Sequence, residues 1–265
     1  MKMSFPRENF FVSPDCLFFV SMKLKSRFVV IIFLLLIGFT FSSKSQTQYS
    51  GWFASFNTIK TGKKTSIHAE TQFRSSDKLE HLQSAFVRGG FNYHLKKNIV
   101  ATAGYGAFHN RRTISGKVGH PKEHRIWQQL LVNHSVNKIQ VAHRFRLEQR
   151  FIEKVVLKEN ELDSDGYAYA NRFRYFIRNV LPLTKDAVFT EGVFAALQNE
   201  VFVNFGNVST VNGKFFDQNR LYLATGYRFN KQWDLELGYM NQYTSGAGNS
   251  FTNNHILQIA SYLRL

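Results

Sequence analysis

The sequence predicts an all-β protein, a transmembrane antiparallel up-and-down β-barrel of about 10–12 strands. Helical periodicity is nearly absent, and apolar residues alternate instead with polar ones over stretches of roughly 10–14 residues. Very short connections alternate with longer polar ones, and an apolar leader precedes the whole pattern. This combination is typical of barrels that cross a membrane, because tight turns gather at one rim and longer loops at the other.

Eleven segments carry the alternation and are the predicted strands. They are 48–57, 65–75, 82–95, 99–109, 123–136, 139–152, 167–180, 187–203, 216–229, 233–244 and 254–265. Single-chain bacterial barrels have an even number of strands, so we expect ten or twelve. The strand number depends on the region 46–75. There the first segment is short, and the connection around Gly62 is either a tight turn or a longer loop.

The connections between these segments fall into two classes. Tight turns are predicted at 96–98, 137–138, 183–186 and 230–232. Longer polar loops are predicted at 110–121, 153–166, 205–214 and 245–253. Because the two classes alternate along the chain, we expect the turns at the periplasmic rim and the loops at the external rim.

Residues 22–45 predict a secretory signal peptide. A basic start is followed by an apolar run of about 14 residues, which is too short for a membrane-spanning helix of about 20. Small residues stand at the −3 and −1 positions of a cut before Gln46. The alternative is a retained signal anchor. The predicted organisation is an upstream extension at 1–21, with Met22 as the true start, the signal peptide at 22–45 and the barrel at 46–265.

The net charge of the chain limits which binding partners are expected. The formal net charge is +16, and a cut before Gln46 leaves 28 Lys/Arg against 16 Asp/Glu, or +12. Basic composition by itself suggests nucleic acid, but an exported protein meets little of it, so we expect none as a partner. The expected location is the outer membrane of a Gram-negative bacterium, with outer-membrane lipid and lipopolysaccharide as partners. The single cysteine, Cys16, precedes the cut, which excludes disulfides from the mature chain.

The segment His143–Phe151 shows how the two strand faces differ. Phe145 and Leu147 lie on one face, and Arg146 and Glu148 lie on the other. Lysines are concentrated in turns and loops, whereas arginine dominates the strands, as expected for a packed, charged interior in which guanidinium groups pair with carboxylates. The predicted lumen charge network consists of Glu70, Arg74, Glu123, Arg125, Arg144, Arg146, Glu148, Arg150, Arg172, Arg174, Arg178, Glu200 and Arg220.

Aromatic residues and the last segment also fit a membrane barrel. Aromatic residues near strand ends are predicted to form interfacial girdles: Trp52, Tyr93, Tyr105, Tyr167, Trp233 and Tyr243. The last segment alternates apolar residues up to Leu265, which replaces the more usual terminal aromatic residue. Such a strand is the form that the barrel-assembly machinery recognises, so that machinery is a predicted partner.

Several motifs in order resemble one family. They are "AETQFR" (69–74), "EHRIWQQL" (123–130), "RFRLEQRF" (144–151), "NRFRYFI" (171–177), "QNEVFVNF" (198–205), "FDQNRLYLATGYRF" (216–229) and "ELGYMNQY" (236–243), with Trp52 before them and His255 after. Together they resemble a family of uncharacterised outer-membrane proteins, common in the Bacteroidota and defined as a domain of unknown function. The resemblance implies an outer-membrane β-barrel and brings no established activity, catalytic residue or cofactor.

The arginines leave two functional interpretations open. In the first, they supply the positive electrostatic potential of an anion-selective pore or of a site for small anionic solutes. In the second, they pair with carboxylates and close a narrow barrel. The sequence favours the second, a structural or transport-type barrel without catalysis. A pore requires a continuous lumen past the arginines, and a structural barrel does not.

The competing class is a lipid-modifying enzyme, either phospholipase-like or deacylase-like. It requires a histidine within hydrogen-bonding reach of a serine or carboxylate at the outer rim or on the lipid-facing wall. No spacing links the candidate histidines (His109, His124, His134, His143 and His255) to the candidate serines (Ser115, Ser135, Ser209, Ser245 and Ser250). A calcium site is a further alternative, because carboxylates cluster in the external loop at Glu159, Glu161, Asp163 and Asp165.

Overall fold

A computed structural model describes residues 45–184 and 188–265. Strands dominate the described residues, and the helical elements are two 3₁₀ turns at Asp77–Leu79 and Val208–Thr210. No helix of this part of the chain has the length and apolar character needed to cross a membrane. The strands are β1 (Ser45–Lys60), β2 (Thr65–Ser75), β3 (Leu82–Lys96), β4 (Ile99–Asn110), β5 (Arg112–Ile114), β6 (Lys117–Gly119), β7 (Lys122–Val136), β8 (Ile139–Lys158), β9 (Glu161–Pro182), β10 (Gly192–Phe205), β11 (Phe216–Arg228), β12 (Trp233–Ser245) and β13 (Phe251–Arg264).

Eleven of these strands form one closed barrel, and β5 and β6 form a separate two-stranded hairpin. Each of the eleven predicted segments overlaps one barrel strand, so the prediction of an all-β barrel is confirmed, while the expectation of ten or twelve strands is wrong. The transmembrane location stays a prediction. The wholly antiparallel pairing is corrected at one place, because β1 pairs with β13 in parallel. The reason is geometric: the chain reverses at every connection, so an odd number of strands leaves the first and the last running in the same direction.

The barrel is narrow. The strand register, followed once around the barrel from Lys60, returns to Gln46, which is a stagger of 14 residues. With eleven strands this stagger corresponds to a strand tilt of about 42° and a barrel radius of about 11 Å. Side chains from opposite walls therefore meet inside, and the lumen has little room that side chains do not fill.

Two predicted connections differ from the structure. The predicted loop 153–166 is mostly strand, because β8 and β9 continue beyond the barrel as a hairpin arm that turns at Glu159 and Asn160. Both turn residues have positive φ (45° and 72°), as two-residue hairpin turns require. The predicted tight turn at 183–186 is wrong, since the connection runs from 183 to 191. Loop length alone therefore does not sort the two rims of this barrel.

Polar and apolar side chains are distributed inside out. Among the described residues, 41 large hydrophobic side chains are exposed, whereas polar or charged residues outnumber hydrophobic ones 23 to 16 among those that are buried. Phe145 and Leu147 are 39% and 41% exposed, and Arg146 and Glu148 are 1% and 0% exposed. The strand faces lie as the alternation predicts, with the apolar face outside and the charged face inside.

Trp52 departs from the predicted aromatic girdle. Its side chain is buried on the inner face of β1, while the neighbouring Phe53 is exposed. The other predicted girdle residues are all exposed: Tyr93, Tyr105, Tyr167, Trp233 and Tyr243. Position near a strand end does not reveal which face a residue occupies, whereas the alternation with Phe53 does.

Trp127 fills the lumen beside a pair of glycines. Its side chain is fully buried, and Gly90 and Gly104, which face each other across β3 and β4, leave room for its ring. A Cβ atom at Gly104 would stand 2.5 Å from Trp127 Cζ2, and one at Gly90 would stand 2.7 Å from the same atom. The two glycines are therefore required by close approach to the indole ring.

Replacing Gly104 with alanine is expected to destabilise the barrel by about 1–3 kcal/mol, because the added methyl group overpacks the Trp127 ring and the Gly89 backbone oxygen. The measurement is urea-dependent unfolding of the folded barrel, followed by tryptophan fluorescence. Gly89→Ala is the matched control, since a Cβ atom there meets nothing within 4 Å. Equal stabilities of the two variants would contradict the close packing of Trp127.

Candidate functional site in the charged lumen

The thirteen predicted lumen residues all lie on barrel strands, and the structure brings them together. They come from β2, β7, β8, β9, β10 and β11, with spacings of two residues, or multiples of two, within each strand. This spacing places their side chains on the same, inner face of the sheet. The remaining question is which of them pair and which do not.

Glu148 is the centre of the network and is fully buried. Arg172 Nη2 and Arg174 Nη1 each donate to one of its carboxylate oxygens at 2.7 Å. Arg88, Arg125 and Arg146 stand at 3.9, 3.9 and 4.0 Å from the same carboxylate. One anion thus lies among five cations from four strands, an arrangement that compensates buried charge through several partners at once.

Two further glutamates extend the network on either side. Glu200 accepts hydrogen bonds from Arg144 at 2.7 Å and from Arg174 at 3.0 Å. Arg174 therefore bridges Glu148 and Glu200. Glu123 accepts from Arg125 at 2.7 Å and from Arg150 at 2.6 Å, closer to the loop rim.

A second group of ion pairs lies toward the rim with the short turns. Arg178 donates to Glu236, and the Tyr262 hydroxyl donates to the same carboxylate at 3.3 Å. The Tyr262 ring stacks on Phe56, with ring centroids 4.9 Å apart. These groups from β1, β9, β12 and β13 join opposite parts of the wall across the lumen.

Asp234 closes the network nearest that rim. Arg228 Nε donates to it at 2.8 Å and Arg264 Nη2 donates at 2.6 Å. Arg228 also donates to the backbone oxygen of Phe189 at 3.0 Å, and its guanidinium lies 4.2 Å from the centre of the Phe189 ring. Phe189, three residues before β10, is thereby held against the end of the lumen.

A cavity of about 440 Å³, called the loop-side cavity, extends in the lumen from Asn110 and Thr244 near the loop rim to Arg178 and Tyr262. Its lining includes nine arginines and three glutamates, so cationic side chains exceed anionic ones by six. It shares Trp52, Arg74 and Asn110 with a second cavity at the loop rim. At the other end, Arg178 lines both this cavity and a cavity near the short turns. Arg178 therefore stands between the two ends of the lumen.

The network contains acidic and basic residues beyond the predicted thirteen. Arg88 was missed because its inward neighbours on β3, Phe86 and Gly90, are uncharged and break the pattern of charge. Asp217 was missed because a β-bulge shifts the register between β10 and β11, so that Asp217 and Gln218 are both buried. Glu236 and Asp234 alternate with leucines along β12, which places them on the inner face but does not show that they pair with arginines.

The predicted histidines and serines do not pair with one another among the described residues. On the outer wall His143 hydrogen-bonds the Tyr175 hydroxyl at 2.9 Å, and His255 hydrogen-bonds the Tyr239 hydroxyl at 2.6 Å. His124 makes the same contact with Tyr105. These pairs satisfy polar groups on an otherwise apolar wall.

One serine–histidine hydrogen bond occurs at residues that the sequence analysis did not single out. Ser66 Oγ and His94 Nε2 are 3.0 Å apart, and Asn92 donates to Ser66 at 3.0 Å. Ser66 is only 2% exposed and its side chain lies on the inner face near the short turns. The pair is therefore not on the outer rim or the lipid-facing wall, where the enzyme interpretation requires it.

The predicted calcium ligands do not converge. In the described part of the chain, no three acidic, histidine or cysteine side chains are placed to hold a metal ion. Asp165 instead contacts Lys154 at 3.3 Å across the hairpin arm, where both side chains are more than half exposed. The calcium alternative is thus not supported by the arrangement of this loop.

Comparison with known proteins bears on the whole barrel. A family model described as "Protein of unknown function (DUF2490)" matches residues 49–253, from β1 into β13. No curated protein and no solved structure matches the chain significantly. The chain belongs to the DUF2490 family of proteins of unknown function.

Proposed function

We propose that this protein is an outer-membrane β-barrel of a Gram-negative bacterium, and that it is a structural barrel whose lumen is closed by its own ion pairs. The observation that supports it is the inside-out distribution of side chains, with 41 large hydrophobic side chains of the described residues exposed and a buried centre at Glu148. A water-soluble barrel would place these two classes the other way round. Outer-membrane barrels have an apolar outer band and a polar interior.

Three features support the membrane location. The eleven barrel strands are 11 to 22 residues long, and a tilted strand of about 9–11 residues spans a bilayer. The apolar residues face outward all around the barrel, so its wall matches the acyl chains of lipid. The predicted signal peptide provides export. Outer-membrane lipid, lipopolysaccharide and the barrel-assembly machinery are the partners that follow, and the Bacteroidota are the expected source.

The contacts of Arg178 support closure. Arg178 lines the cavities on both sides and pairs with Glu236, whose carboxylate also accepts from Tyr262. Strands β9, β12 and β13 thus meet at this point of a lumen of about 11 Å radius measured to the backbone. Catalysis is not part of the proposal, because Ser66 and His94 lie inside the barrel and the outer histidines bond to tyrosines.

The test is folding into lipid vesicles. The wild-type protein is expected to insert and to show the heat-dependent gel mobility of a membrane barrel. Leu223, near the middle of β11, is 53% exposed on the outer wall. Leu223→Arg is expected to lower the stability of the inserted barrel by about 2–4 kcal/mol, because arginine is costly at the bilayer midplane.

The matched control is Leu157→Arg, on the hairpin arm beyond the barrel, where the leucine is 42% exposed. This variant is expected to retain wild-type stability, since the arm lies in water. A barrel that stays in aqueous solution without detergent, or equal effects of the two substitutions, would refute the membrane location.

A further inference from the structure

Two arginines in the loop-side cavity have no carboxylate partner among the described residues. Arg74 donates to Gln72 Oε1 from Nε at 3.1 Å and from Nη2 at 2.8 Å. Arg220 donates to Gln218 Oε1 at 3.0 Å. Both partners are neutral amides, so the charges of these two guanidinium groups are not balanced by direct contact.

The two guanidinium groups lie against the same aromatic side chain. The Cζ atoms of Arg74 and Arg220 are 3.9 and 5.1 Å from the centre of the same Trp52 ring. Trp52 stabilises each cation through its π face, but it does not remove the repulsion between like charges in a poorly solvated interior. The arrangement leaves a positive potential that an anion would relieve.

Arg220 also has an unused donor. It is only 9% exposed, and its buried Nε atom has no hydrogen-bond partner. Arg88 and Arg144, which line the same cavity, each have a buried Nε without a partner as well. Buried donors are nearly always satisfied in folded proteins, so the protein itself leaves the hydrogen bonding of these guanidinium groups incomplete.

The cavity suits a small ligand. Its volume of about 440 Å³ holds a small molecule and excludes a folded macromolecule. Trp52, Arg74 and Gln242 line both this cavity and the cavity at the loop rim, so the two cavities are adjacent. The glutamates of the cavity form hydrogen bonds with other arginines and make no direct ion pair with Arg74 or Arg220 among the described residues.

We propose that the loop-side cavity binds a small phosphate-bearing anion between Arg74 and Arg220, above the ion pairs that close the lumen. Phosphate oxygens match the planar fork of a guanidinium group, and a dianion balances two arginines. The amides Gln72, Gln218 and Gln242 line the same space and provide neutral contacts. Access from the external side rests on the proposed membrane orientation, whereas binding itself does not.

The experiment measures binding to the folded barrel in detergent micelles. Inorganic phosphate and glycerol phosphate, a soluble phosphate monoester, are titrated separately at constant ionic strength held with sodium chloride. Isothermal calorimetry and tryptophan fluorescence, to which Trp52 contributes, follow the binding. Saturable binding of either anion is expected, and the two arms distinguish free phosphate from an ester.

Substitutions in the cavity locate the site. Arg74→Gln and Arg220→Gln are each expected to weaken binding by about tenfold, since each removes charge-assisted hydrogen bonds to the anion. Arg112→Gln is the matched control, because Arg112 is exposed in the loop hairpin, and it is expected to leave the affinity unchanged. Heat-dependent gel mobility shows that each variant is folded before it is titrated.

Each outcome decides the proposal. Saturable binding that both cavity substitutions weaken supports it, whether the ligand is phosphate or only the ester. No saturable binding of either anion above chloride, or binding that both substitutions leave intact, overturns it. A folded barrel that inserts into vesicles, conducts no ions and binds no anion would refute this inference alone. A barrel that binds the anion but fails to insert would refute only the proposed function.

Discussion

Replacing Glu148 with glutamine is expected to destabilise the inserted barrel by about 3 kcal/mol or more. Glu148 is fully buried, pairs with Arg172 and Arg174, and has three further arginines within 4.0 Å. Glutamine keeps the size of the side chain and removes its charge, so the surrounding arginines repel each other without a central anion. Urea-dependent unfolding in lipid vesicles measures the loss.

Asp165→Asn is the matched control for this substitution. Asp165 also pairs with a cation, Lys154, but both side chains are more than half exposed on the hairpin arm. An exposed pair of this kind contributes only about 0–1 kcal/mol. If Glu148→Gln costs no more than Asp165→Asn, the arginines of the lumen are not held by Glu148, and the proposed closure loses its centre.

Removing the Arg178–Glu236 pair is expected to open the lumen. Wild-type protein in planar bilayers is expected to show no stepwise conductance, because Arg178 separates the two cavities and is held by Glu236. In the double variant Arg178→Ala/Glu236→Ala both side chains are shortened and no unpaired charge is left. We expect discrete conductance steps, with a preference for anions because the remaining lining is rich in arginine.

The control is the double variant Lys154→Ala/Asp165→Ala, which removes an ion pair of the hairpin arm outside the lumen. This variant is expected to show no stepwise conductance, like the wild type. Wild-type protein that conducts as well as the Arg178→Ala/Glu236→Ala variant would show that the lumen is open and would refute closure. If the Arg178→Ala/Glu236→Ala variant is folded and shows no conductance, the constriction of the lumen lies at other residues.

Period-two alternation was sufficient to predict most of the fold. It located all eleven barrel strands and assigned Leu147 to the outer face and Glu148 to the inner face, because successive side chains of a strand point to opposite sides. It did not reveal the long hairpin arm, since residues 153–166 are polar and look like a loop. It also did not reveal the parallel closure of β1 and β13, which depends on the total number of strands.

For the candidate site, the sequence predicted the composition and missed the pairing. The thirteen residues predicted for the lumen all lie on the inner face, yet nothing in the sequence shows that Arg174 bridges Glu148 and Glu200. These three residues lie up to 52 positions apart, and the register of three strands brings them together. The β-bulge that places Asp217 inside is likewise a property of the register between β10 and β11.

The sequence by itself determined that this chain is a barrel with an apolar wall and an arginine-rich interior, because face assignment needs only the alternation along each strand. Only the tertiary structure decided which charges are compensated. Glu148 lies among five arginines, while Arg74 and Arg220 share the Trp52 ring and have only amide partners. The physical reason is that charge compensation depends on distances across the lumen, and these are set by strand number and stagger.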